Sequence, residues 1–146
     1  MNNRVFKSVV FAGILLIALS LNTAAQSEND ETAKVRKRAE SLLQTIREEK
    51  WDELDKFVVI ATEQIDKQTG NTKKIFHFAE DMETKEKIIN RFKPTYSSLK
   101  PGKIISVGIS EKDKTIAGVA YKHGDKDGFR MVKVNGEWYY LLEYLQ

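Results

Sequence analysis

The sequence predicts an α+β domain in which N-terminal helices pack on a mostly antiparallel sheet of four to six strands. Apolar residues recur at helical spacing early in the chain, from residue 33 to residue 58. The last third consists of short runs rich in Ile, Val and aromatic residues. An Asn-Gly pair at positions 135 and 136 separates two of these runs, which is typical of a β-hairpin.

Residues 1–25 have the order of a cleavable secretory signal. Arg4 and Lys7 give the N-terminus two positive charges, and an uncharged run follows them. Its strongly apolar part, Val9 to Leu21, is shorter than the roughly 20 residues that a membrane-spanning helix needs. Small side chains precede a cut after Ala25. We therefore expect an exported protein, periplasmic or secreted, without a stable membrane span after cleavage; the alternatives are an uncleaved anchor and a buried helix.

Composition limits the classes of partner that the mature protein suits. The chain has no cysteine, so its stability has to come from its core rather than from disulfides. Arg4 and Lys7 would leave with the signal, so the 24 basic residues fall to 22 against 21 acidic ones, a balance of +1. The basic cluster at 34–38 is flanked by Glu31 and Glu40, as in a solvated helix face. A nucleic-acid partner is not expected.

Residues 26–32 are polar and predict a disordered lead-in, and residues 33–146 form a single domain. A first helix is predicted from Ala33 to about Glu49. Its apolar stripe consists of Val35, Ala39, Leu42, Leu43 and Ile46. The same spacing continues at Trp51, Leu54, Phe57 and Val58 and predicts a second, short helix.

The middle of the chain predicts two strands and a third helix. Residues 57–61 and 74–78 are β-branched and aromatic runs, with turn residues at 69–71 between them. A helix is predicted from Thr84 to Arg91 or Lys93, ending before Pro94.

Four strands follow as two hairpins. Residues 103–110 and 114–122 are joined by a turn at 111–113, and residues 128–134 and 137–145 by Asn135-Gly136. A two-residue type I′ turn fixes the register, so that Lys133 faces Trp138 and Val132 faces Tyr139.

This register gives the last hairpin two apolar faces. One face carries Phe129, Met131, Trp138, Tyr140 and Leu142 and is predicted to face the core. The other carries Arg130, Val132, Val134, Tyr139 and Leu141, which is too apolar for ordinary solvent-exposed surface. We expect a homodimer through this second face, with Val132, Tyr139 and Leu141 as interface candidates.

Two stretches resemble the nuclear-transport-factor-two-like (cystatin-like) superfamily. They are Arg47-Glu-Glu-Lys-Trp-Asp-Glu-Leu54 with Phe57, and the hairpin Phe129 to Tyr140 with its Gly136-x-Trp138 turn. The resemblance implies a cone-shaped domain, with a curved sheet around a cavity lined by apolar and aromatic side chains. Some members of this superfamily are isomerases, dehydratases or hydrolases, and many others only bind ligands or partners.

The candidates for lining a pocket are Trp138, Tyr140, Tyr121, Phe129, Met131 and His77. They suit a small apolar ligand, although aromatic residues on an inner sheet face are also ordinary core residues. His77 has no catalytic partner that the sequence identifies, so a structural role is favoured. No catalytic residue is assigned.

No metal site or cofactor is predicted either. Asp125-Lys-Asp127-Gly128 is similar to a fragment of a calcium loop. His123 stands at the first ligand position, however, and Val134 stands where a bidentate glutamate is required, so a plain turn is favoured.

The sequence is therefore interpreted as an exported, non-catalytic binding module for a small apolar ligand or a protein partner. Two alternatives remain open. A cavity enzyme of the isomerase or dehydratase type would use a buried carboxylate or His77 for proton transfer. A purely structural interaction domain would have a filled interior.

Overall fold

A computed structural model describes residues 30–125 and 127–143. The elements in chain order are α1 (residues 30–47), a short 3₁₀ helix (Trp51–Lys56), β1 (Val58–Ile65), β2 (Thr72–Phe78), α2 (Met82–Tyr96), β3 (Ile104–Ile109), β4 (Ile116–Tyr121), β5 (Asp127–Val134) and β6 (Glu137–Glu143). The predicted signal and residues 26–29 of the predicted lead-in lie outside the described residues. Residues 30–32, which we also assigned to the lead-in, are helical. Neither described α-helix is long and apolar enough to cross a membrane.

The six strands form one open mixed sheet in the order β2-β1-β6-β5-β4-β3. Every neighbouring pair is antiparallel except β1 and β6, which are parallel, with Val58 opposite Tyr140. The α+β class and the mostly antiparallel sheet are therefore confirmed.

The last hairpin has the predicted turn and register. Asn135 and Gly136 both have positive φ angles, 52° and 88°, as a type I′ turn requires. Val132 pairs with Tyr139 and Lys133 pairs with Trp138. Asn tolerates this left-handed conformation better than other non-glycine residues, so the local sequence determines the register of both strands.

The core lies between the helices and one face of the sheet, which we call the inner face. The predicted apolar stripe of α1 is buried there together with Ile88, Phe92 and Tyr96 of α2. Trp138 is 2% exposed and belongs to this core, so the predicted orientation of the hairpin toward the helices is confirmed.

Two predicted helix boundaries were wrong. The second short helix ends at Lys56, and Val58 already belongs to β1. Helix α2 continues through Pro94 to Tyr96. Pro94 has no N–H to donate to the carbonyl one turn back. The continuation places Tyr96 in the core, where its hydroxyl lies 2.7 Å from that of Tyr121, and this packing outweighs the lost backbone hydrogen bond.

Candidate functional site

Five of the six pocket candidates lie together on the inner face of β4, β5 and β6. Tyr121, Phe129, Met131, Trp138 and Tyr140 all belong to or pack against the main core. The ring centroids of Phe129 and Tyr140 are 5.0 Å apart, and Phe92 of α2 is also 5.0 Å from Tyr140. At these separations the rings pack directly on one another. They fill the space between the sheet and α2.

A chain of polar contacts runs from this cluster to the surface. Tyr121 donates a hydrogen bond to Oδ2 of Asp127 at 3.1 Å, so the hydroxyl of Tyr96, 2.7 Å from that of Tyr121, acts as donor to it. His123 places Nδ1 3.2 Å from the same Asp127 oxygen and Nε2 2.9 Å from the carbonyl oxygen of Leu99. The chain therefore connects α2, the segment after it, β4 and β5.

Burial affects the protonation of the two tyrosines, Tyr96 and Tyr121, in this series of polar contacts. Desolvation raises the pKa of Tyr96 and, strongly, that of Tyr121. Both hydroxyls therefore stay neutral around pH 7 and act as hydrogen-bond donors rather than as bases. This series of polar contacts, which we call the Tyr96–His123 chain, is suited to stabilising the packing of the elements that it connects.

In the loop that is similar to a calcium-site fragment, both carboxylate oxygens of Asp127 interact with other groups of the protein. Oδ1 of Asp127 accepts a hydrogen bond from the backbone N–H of Gly128 at 2.7 Å, and Oδ2 belongs to the Tyr96–His123 chain. Among the described residues, no group of three or more His, Cys, Asp or Glu side chains is placed to hold a metal ion.

His77 is separate from the aromatic cluster. It lies on the edge strand β2, is exposed, and places Nε2 2.8 Å from the hydroxyl of Thr62. The two residues line an open groove of about 470 Å³ that also includes Glu80, Asp81 and Lys87. Within the described residues, no carboxylate or histidine side chain is buried as a whole, but Oδ1 of Asp55 is buried without a hydrogen-bond partner, while its Oδ2 lies 3.3 Å from Nζ of Lys85.

The opposite face of the sheet, which we call the outer face, carries a second apolar cluster. Val59, Ala61, Val132 and Leu141 are buried in it, and Phe76, Phe78, Ile116, Val134 and Tyr139 are partly buried. All three interface candidates, Val132, Tyr139 and Leu141, belong to this cluster.

Aromatic side chains of the outer face pack partly buried against this cluster. The rings of Phe78 on β2 and Tyr139 on β6 meet edge to face at 5.1 Å across the strand between them, β1. Arg38 of α1 lies 5.5 Å from the centroid of the Tyr139 ring and donates to the carbonyl oxygen of Trp138 at 3.1 Å. We call Phe76, Phe78 and Tyr139 the aromatic ridge.

The other half of the outer face is a shallow channel. It has a volume of about 530 Å³ and lies over β3, β4 and β5. A Cβ atom added at Gly108 or Gly118 would meet no atom within 4 Å, so the space above both is open. We call the small outward-facing residues Ser106, Gly108, Gly118, Ala120 and Gly128 the glycine channel.

A cluster of charged residues also lies on the outer face. Arg130 on β5 forms an ion pair of 2.6 Å with Glu143 on β6, and Lys74 on β2 lies 3.7 Å from the same glutamate. The side chain of Arg130 is 58% exposed, so it remains accessible from solvent.

Neither the Tyr96–His123 chain nor the aromatic ridge as a unit is apparent from the sequence. Both combine residues from elements distant in sequence. The glycine channel was not predicted either, because it depends on the observed β3–β4 register, which places Gly108 opposite Gly118.

The sequence matches no protein-family model, and a search of curated proteins finds no match either.

Proposed function

We propose that the domain is an exported, non-catalytic binding module that engages a protein partner through the outer face of its sheet. The observation that carries this proposal is the outer face itself, where an aromatic ridge lies beside an open glycine channel. Export rests on the signal read in residues 1–25, and the superfamily resemblance remains part of the proposal.

The shape of the channel favours a protein over a small ligand. Small-molecule sites are concave and bury most of the ligand surface. The glycine channel is shallow and open, and the inner face is filled by its own aromatic residues. A flat, partly apolar face with a charged strip matches the composition of protein interfaces, which combine aromatic residues with arginine.

The accessible polar groups support a non-catalytic role. His77 is exposed and bonded to Thr62, at the opposite end of the strand order from the glycine channel. The tyrosine hydroxyls of the core are protonated at neutral pH, and burial raises their pKa values further above the ordinary value of 10.0. A proton-transfer site of the isomerase or dehydratase type requires an ionisable group aimed into a cavity.

Native mass spectrometry of the mature protein, purified from the envelope or medium of its own source, tests the proposal. We expect the wild-type chain to carry a second polypeptide and the Tyr139→Lys variant to lose it. Gln68→Lys, in the exposed turn between β1 and β2, is the matched control and should retain the partner.

Two results would overturn the proposal. One is a wild-type protein that carries a small molecule and no polypeptide. The other is a bound polypeptide that Tyr139→Lys does not release, provided that circular dichroism shows the variant to be folded. The first result would support the small-ligand interpretation, and the second would place the binding surface elsewhere.

A further inference from the structure

Strand β3 lies at one edge of the sheet, and this edge offers unpaired backbone groups. The N–H of Ser110 donates to the carbonyl oxygen of Ile116 at 2.8 Å, so these two residues form a hydrogen-bonded pair. Such pairs alternate along antiparallel strands, which makes Gly108 the next residue whose backbone faces β4. The N–H and C=O groups of Val107 and Ile109 therefore point away from the sheet. Beyond β3 the described part of the chain has no further strand.

The β3 edge lacks the side chains that usually block strand addition. Natural sheet edges are protected by charged residues, prolines or bulges. The opposite edge strand, β2, carries Lys73 and Lys74. β3 has the sequence Ile-Ile-Ser-Val-Gly-Ile, without a charge or a proline. Its register irregularity lies between Ile104 and Ser106, so residues 106–109 remain regular and open to pairing.

We infer that the protein partner of the outer face adds an extended segment to the six-stranded sheet as a further strand beside β3. The inference rests on the proposed function and specifies which part of the partner is bound. A row of outward N–H and C=O groups is satisfied by an extended chain, whereas a helix pairs its own backbone groups internally. Main-chain hydrogen bonds then supply the affinity, and alternate side chains supply the specificity.

The glycine channel determines which side chains suit the outward positions of the added strand. Residues of that strand opposite Ser106 and Gly108 point outward, next to the channel. A Cβ atom added at Gly108 or Gly118 would meet no atom within 4 Å, so a large side chain from the neighbouring strand has room to lie over both glycines. We therefore expect large apolar residues at every second position of the segment.

Basic residues near the start of β3 indicate the charge of one end of the segment. A groove of about 810 Å³ is lined by Lys103, directly before β3, and by Arg36 and Lys37 of α1. The glutamate in the same groove, Glu40, forms an ion pair of 2.6 Å with Arg47. The groove is therefore positively charged, and we expect acidic residues at the end of the segment that lies beside Lys103.

A second copy of this chain fits the edge less well than a regular extended segment does. In a symmetric antiparallel pair of β3 strands, the irregularity of each strand lies opposite the far end of the other. It would therefore interrupt the ladder at both ends. A segment without such an irregularity pairs along the whole regular part of β3.

A phage-displayed library of random linear peptides is the probe. Selection on the mature wild type should yield sequences with alternating large apolar residues and acids at one end. Val107→Ala and Val107→Pro both remove the valine side chain, but only proline removes the N–H that points away from the sheet. We expect Val107→Pro to weaken the binding of the selected peptides about tenfold or more and Val107→Ala to bind them like the wild type.

Two substitutions test the side-chain contacts. Gly108→Lys fills the channel without straining the monomer, because Gly108 has no positive φ angle and a Cβ atom there meets open space. It should weaken peptide binding. Lys103→Glu should weaken the binding of peptides with an acidic end. Lys112→Glu makes the same charge change in the exposed turn at the other end of β3 and is the matched control.

Amide hydrogen exchange of the wild type locates the bound peptide directly. Exchange at Val107 and Ile109 should slow about tenfold or more on peptide binding, because both amides gain an acceptor. Exchange along β2 should not change. Peptides that leave the exchange of Val107 and Ile109 unchanged would overturn the inference, even if Val107→Pro fails to fold.

Other results would also overturn the inference. They are a library that yields no binder, binders that a folded Val107→Pro protein retains at full affinity, and a wild-type dimer that Val107→Pro dissociates in sedimentation. The last result would make a second copy the occupant of the edge.

The co-purified polypeptide separates the inference from the proposed function. A polypeptide that Tyr139→Lys releases and Val107→Pro retains would overturn the inference alone. A polypeptide that Val107→Pro releases and Tyr139→Lys retains would overturn the proposed contact with the aromatic ridge and leave the strand addition standing.

Discussion

Removing the hydroxyl of Tyr121 should destabilise the domain more than removing any other hydroxyl of the Tyr96–His123 chain. Tyr121 is 1% exposed, and its hydroxyl receives the hydrogen bond of Tyr96 and donates to Asp127. Tyr121→Phe deletes both contacts and leaves the buried hydroxyl of Tyr96 without its acceptor. A net hydrogen bond contributes about 1 kcal/mol and an unsatisfied buried polar group costs about 1–3 kcal/mol, so we expect a loss of about 2–3 kcal/mol.

The double variant sharpens this prediction. Tyr96→Phe alone leaves Tyr121 bonded to Asp127, so it should cost about 1 kcal/mol. In the Tyr96→Phe, Tyr121→Phe protein no hydroxyl is left unsatisfied, and its loss should be smaller than the sum of the single losses.

Urea unfolding followed by tryptophan fluorescence measures all three changes, because Trp138 lies in the same core. The slope of unfolding free energy against urea should stay constant across the variants. A loss below about 0.5 kcal/mol for Tyr121→Phe, or strict additivity in the double variant, would refute the reasoning.

Three further predictions concern other parts of the fold. Burial raises the pKa of Tyr140 to about 12 from 10.0, so its stabilising effect is complete below pH 10 and is lost as the pH rises toward 12; Tyr140→Phe should flatten that alkaline decline in thermal unfolding. Glu49, two residues beyond the end of α1, has a φ angle of 56°, which glycine adopts without strain, so Glu49→Gly should raise the unfolding free energy by about 0.5 kcal/mol, whereas Glu49→Val should lower it. Arg38→Met removes the donors to the carbonyls of Trp138 and Lys56 and should cost about 1–3 kcal/mol in urea unfolding, while Arg36→Met on the exposed side of α1 should cost little.

Local signals in the sequence determined part of the fold. The Asn135-Gly136 turn predicted the register of the last hairpin because both residues accept positive φ angles. The apolar stripe of α1 was readable from its spacing alone. The inward orientation of Trp138 followed from the same two signals.

Long-range contacts determined the rest. No local pattern indicates that β6 pairs in parallel with β1, and this pairing brings Tyr139 next to Phe78. The end of α2 was misplaced because the burial of Tyr96 outweighs the preference against Pro94 in a helix. The candidate site has the same origin: the ridge and the channel become one surface only when the six strands are aligned.

Backbone amide chemical shifts of the mature protein, recorded with and without its co-purified polypeptide, test most directly whether the outer face is a contact surface in solution. On removal of the polypeptide, we expect the resonances of Phe78, Gly108 and Gly118 to move together. Those of the inward-facing residues of α1, such as Leu42 and Ile46, should stay constant. Constant shifts throughout, or shifts confined to the helices, would contradict the binding of a protein partner through the outer face.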